Sequence, residues 1–69
     1  MDVKARVPGK IVEVRVNVGD VVKARDILAV EEAMKMQQPI PCPQDGVIKE
    51  IRVNVGDRVS SGDVIAVVE

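Results

Sequence analysis

The stretch EEAMKMQQP, residues 31–39, decides how this chain of 69 residues is read. Glu31, Ala33, Met34, Lys35, Met36 and Gln37 are all strong helix formers, and propensity alone would run a helix from Asp26 to Gln38. Every other apolar run in the chain reads as strand. Three prolines, Pro39, Pro41 and Pro43, follow at once. The conflict is settled by what the stretch belongs to.

An internal repeat spans most of the chain. GKIVEVRVNVGDVVKARDILAVEE (9–32) lies over GVIKEIRVNVGDRVSSGDVIAVVE (46–69) at an offset of 37 residues, with 14 identities in 24 positions. That density is far above chance. Solenoids generally need three or more units, so two copies imply one domain with pseudo-two-fold symmetry, each half covering the apolar face of the other. Within a copy the period is two. Val14, Val16 and Val18 alternate with Glu13, Arg15 and Asn17, and Ile51, Val53 and Val55 alternate with Glu50, Arg52 and Asn54. This is a half-buried β-branched strand, and it places Val16, Val18, Val53 and Val55 in the core. Gly19-Asp20 and Gly56-Asp57 break it with structural turns. A second apolar run follows each turn, ILAV in one copy and VIAVV in the other.

The helix-like stretch therefore begins where the second copy reads GDVIAVVE, which has little helical character. Symmetry requires the same local structure in both, and tertiary context overrides a weak propensity. Residues 27–34 are expected as a strand, with Lys35 at or beside the turn that follows. Residues 37–43 are expected to be extended and partly unpaired, because proline cannot donate to a ladder. The chain is an all-β domain over 1–69, with Lys35 near the tip of the hairpin joining the two copies.

Composition narrows the function. The chain has no aromatic residue and no histidine, one cysteine, and a formal net charge of −1 with a pI near 5.4. Val, Ile, Leu and Ala must build the core. Neither a basic surface nor stacking aromatics are present for nucleic acid. One thiol without histidine is no zinc set, and no apolar run approaches the roughly 20 residues of a membrane helix. No nucleophile–base pair and no glycine-rich phosphate loop are present, so the chain reads as a non-catalytic domain. The lone Cys42 fits a reduced, cytoplasmic setting. It lies between two prolines without basic neighbours and reads as an inert structural thiol.

At this point the residues resemble a known family. EAMKM (32–36) is similar to the attachment motif of biotin carrier domains, in which the central lysine receives biotin through an amide. PGKIVEVRVNVGDVV (8–22) resembles the family's opening strand and turn. PIPCPQDGVIKEIRVNVGD (39–57) resembles the segment after the modified lysine, and SSGDVIAVVE (61–69) its closing strand. The resemblance implies a flattened barrel-sandwich of two four-stranded antiparallel sheets, with biotin covalently attached to Lys35. It also implies a biotin protein ligase as one partner and biotin carboxylase, carboxyltransferase or decarboxylase subunits as the others. Glu32, Ala33, Met34 and Met36 would serve ligase recognition. The isolated domain is expected to be a monomer. Lipoyl carriers share the fold but commonly hold their lysine in a DKA context, so Met34 and Met36 favour biotin over the alternative, a lipoyl carrier of a 2-oxoacid dehydrogenase or glycine-cleavage type system. An unmodified adaptor using the barrel only for protein contacts is the third reading.

Several residues carry a plainer reading beside this one. Lysine is most often an ordinary solvated side chain, and the motif at the repeat junction is what singles out Lys35. Met34 and Met36 could instead fill core gaps. Glu31 and Glu32 read as a solvated acidic pair, although Glu31 aligns with Val68 and stands where the family is commonly apolar. Arg25 stands opposite Gly62, so a turn requiring positive φ would strain it. Exposed lysines are ammonium ions at neutral pH. Nothing near Lys35 in sequence activates it, so a ligase would have to deprotonate it and present biotin as an acyl-adenylate.

Overall fold

Each copy of the repeat opens on a strand with a defect at the same place. The computed structural model, which describes all 69 residues, has β2 over Gly9–Val14 and β6 over Gly46–Ile51. The register of β2 slips between Ile11 and Glu13, and that of β6 between Ile48 and Glu50. An extra residue shifts which side chains face inward. Ile11 and Ile48 are therefore buried ahead of the slip, and Val14 and Ile51 pack on the core after it.

The remaining strands are β1 (Asp2–Lys4), β3 (Val21–Val22), β4 (Ile27–Ala33), β5 (Met36–Pro41), β7 (Arg58–Val59) and β8 (Val64–Val68). They form two antiparallel four-stranded sheets, ordered β1-β8-β6-β3 and β5-β4-β2-β7. The whole chain is strand and turn, as the repeat requires, and β4 runs through Ala33 with a turn at Met34 and Lys35. The symmetry reaches beyond the repeated sequence. Asp2, Val3 and Lys4 pair with Val67, Ala66 and Val64, while Pro39, Ile40 and Pro41 pair with Val30, Ala29 and Ile27. Those registers are superposable at the same offset of 37, although DVK and PIP share no residue.

The core is built from symmetry mates: Val3 with Ile40, Ala5 with Cys42, Ile11 with Ile48, Val22 with Val59, Leu28 with Ile65 and Ala29 with Ala66. Cys42 is buried, and its thiol donates to the carbonyl of Gln44 at 2.9 Å. Two valines depart from expectation. Val18 and Val55 are 63% and 64% exposed, because each follows the asparagine that opens a tight turn. Asp20 and Asp57 close these turns by accepting the N–H of Asn17 and Asn54, at 2.8 and 2.9 Å. Alternation thus ends at Val16 and Val53, the last inward positions.

Arg25 lies at φ 76°, matching Gly62 at φ 91°. Two backbone bonds hold it there: the N–H of Arg25 donates to the Cys42 carbonyl at 2.8 Å, and that of Cys42 to the Asp26 carbonyl at 2.7 Å. Asp45 adds a third tie by accepting the N–H of Ala24 at 2.8 Å. A left-handed non-glycine residue costs about 1–2 kcal/mol, part of which glycine loses again to chain entropy. Arg25→Gly should therefore raise unfolding stability by roughly 0.5–1 kcal/mol in urea titration.

Candidate functional site

Residues 33–36 close the hairpin between β4 and β5. Ala33 faces Met36 across the ladder, leaving Met34 and Lys35 as a two-residue loop at φ 53° and 64°. Positive φ at both central residues defines a type I′ turn, whose twist matches that of the flanking strands. Such turns favour Asn-Gly, and neither Met nor Lys enters this region cheaply. The strain lies at the apex, where the chain most needs to stand clear of the barrel. Met34→Asn should relieve it and add about 1 kcal/mol to stability, measured by denaturant titration, with Lys35 left in place.

The turn decides what is displayed. Met34 is 95% exposed and Met36 is 62% exposed, so neither fills the core. Lys35 and Glu32 are exposed between and beside them. Ala33 is buried and seats the end of β4. Lys35 has no ion-pair partner: the three salt bridges, Arg15–Glu13, Lys49–Glu69 and Arg52–Glu50, all lie elsewhere. The amine of Lys35 thus stands clear of the barrel with no ion-pair partner.

Glu31, read from sequence as a solvated acid, is instead 2% exposed. It occupies the position of Val68, a fully buried core residue of the other copy. Its Oε2 has no hydrogen-bond partner, and burial raises its carboxyl above the ordinary value. The missed signal was the alignment with Val68, outweighed at the sequence level by charge. Gly9 leaves room for it, since a Cβ there would lie 2.8 Å from Oε2 and 2.6 Å from the Glu32 carbonyl.

The model of the biotin–lipoyl family, described as biotin-requiring enzyme, matches residues 1–68. The chain belongs to that family. It is 51% identical over 43 residues to pyruvate carboxylase of Staphylococcus aureus, covering 62% of this chain and 4% of that protein. It is also 51% identical over 45 residues to the gamma subunit of methylmalonyl-CoA decarboxylase of Veillonella parvula, covering 65% of this chain and 35% of that subunit. Among solved structures, urea carboxylase of Kluyveromyces lactis superposes on all of this chain with a TM-score of 0.95 and 29% identity, over 6% of its own length. The chain thus spans from 4% to 35% of the length of these three relatives.

Proposed function

We propose that this biotin–lipoyl domain carries biotin on Lys35 and moves carboxyl groups between the active sites of a biotin-dependent carboxylase, decarboxylase or transcarboxylase in the cytoplasm. The observation that carries the reading is the display of Lys35 at the apex of a strained two-residue turn, between two exposed methionines, in a chain of this family.

The residues fit a covalent acyl group. The unengaged Nζ of Lys35 attacks the activated carboxyl of biotinyl-adenylate, an amide bond forms, and AMP leaves as the amine gives up a proton. The ligase removes that proton and grips Glu32, Met34 and Met36, with Ala33 fixing the strand beneath them. Once joined, biotin supplies the atom that holds the carboxyl group. The barrel supplies a rigid base, and rigid elements hold a site more accurately than loops. Tethering makes each delivery effectively intramolecular, so reach rather than affinity sets its efficiency.

Intact mass after co-expression with a biotin ligase, in biotin-supplied cells, tests this. A single biotinyl increment is the expected result. A lipoyl increment would transfer the domain to a dehydrogenase or glycine-cleavage type system. A folded but unmodified chain would make it an adaptor.

A further inference from the structure

The edge strands β1 and β5 belong to different sheets and flank a groove of about 330 Å³. The pseudo-two-fold relates its two walls, because Asp2, Val3 and Lys4 line it opposite their mates Pro39, Ile40 and Pro41. Val3 and Ile40 turn inward and are buried, while the charges of Lys4 and Arg6 stand exposed at the rim. Glu31 breaks the symmetry. It also lines the groove, an almost wholly buried carboxyl whose Oε2 lies against Gly9 and has no hydrogen-bond partner.

The wall on the β5 side offers acceptors and few donors. In a two-residue hairpin the closing pair exchanges hydrogen bonds, so alternate residues turn their polar groups toward the partner strand. Gln38 and Ile40 then face β4, and Pro39 and Pro41 present outward carbonyls with no N–H. A ligand for this groove needs positive charge for Glu31, donors for the carbonyls and an apolar stem to lie on Val3 and Ile40.

We propose that the groove binds the guanidinium or alkylammonium group of a single basic side chain, presented by a partner segment whose adjacent residues are acidic. The cation supplies the charge-assisted hydrogen bonds that the buried carboxyl lacks. The stem of an arginine or lysine packs on the apolar walls. The acidic neighbours meet Lys4 and Arg6, which would repel a segment of several basic residues. Burial raises the Glu31 carboxyl above its ordinary value, so a cation that favours the ionised form binds more weakly as pH falls through the folded value. Affinity therefore rises with pH. The charged groups lining the groove with it are Asp2, Lys4 and Arg6, all from the β1 side, and β5 contributes none.

The test is an amide-resolved NMR titration of the 69-residue domain with the capped tripeptide acetyl-Glu-Arg-Glu-amide. Shifts should gather on Val3, Glu31 and Ile40, and binding should weaken at least tenfold in Glu31→Gln and with glutamine replacing the peptide's arginine. Lys35→Arg should bind unchanged, so this result stands or falls apart from biotin attachment. Equal binding by Glu31→Gln, or shifts centred elsewhere, would overturn the proposal. So would binding of n-butylguanidinium without binding of the peptide, which would make the groove a small-cation pocket. Val68 shows that an uncharged side chain fits the equivalent position, so Glu31→Val serves as a second folded control.

Discussion

Lys35→Arg is expected to abolish covalent biotin completely while the barrel stays folded. Arginine keeps the charge and the length at an exposed apex, so the packing beneath is untouched. Its guanidinium is not deprotonated in proteins and so offers no free amine to an acyl-adenylate. No other lysine shares the apex: Lys4, Lys10, Lys23 and Lys49 lie on the body of the barrel, outside the 33–36 turn. Intact mass with and without ligase, paired with thermal unfolding, reads both halves of the expectation. Biotin found on the variant would end the assignment to Lys35.

Glu31→Val is the larger change in stability. It replaces a buried, unpartnered carboxyl with the residue that the second copy uses at the same place, Val68. Leaving a polar group buried without partners costs about 1–3 kcal/mol, so the variant should gain about 2 kcal/mol at neutral pH, on the order of 10 °C in Tm for a chain of this size. The pH dependence carries the sign. The folded-state pKa of Glu31 is raised above 4.5, so the folded state holds the proton more tightly than the unfolded chain. The wild type should lose stability as pH climbs from 4.5 through the folded value, then level off. The gain from Glu31→Val should therefore grow across that window and be smallest in acid. A gain equal at all pH values would show that the carboxyl does not titrate there.

Much of this was legible in the sequence because the repeat is a strong constraint. It overrode the helix propensity of EEAMKMQQP, and it placed Lys35 at the junction of the copies. Other features were hidden for physical reasons. The pairing of β1 with β8 mirrors that of β5 with β4 without a shared residue, because strand pairing uses backbone groups that most side chains leave in place, and Pro39 and Pro41 stand at positions whose polar groups turn away from β4. Val18 and Val55 follow the strand pattern in sequence, yet the turn claims them first. Glu31 was misplaced because its charge argued for solvent, while its neighbours in space were fixed by the register of a strand it does not control. The strain at Arg25 was visible as a mismatch with Gly62, and the backbone shows it. A positive φ at Met34 and Lys35 had no such mate to betray it, since the aligned repeat covers 9–32 and 46–69 and leaves the apex outside it.

The two outer strands that bound the groove also have to resist each other's copies. An open strand edge is a template on which another chain can add. The mated positions answer it in different ways. Pro39 and Pro41 deny an incoming strand its hydrogen bonds, whereas Asp2 and Lys4 place charges where an apolar strand would settle. One duplicated scaffold thus carries two unrelated defences against aggregation, and the donor-poor one lies on the strand that leads out of the Lys35 turn.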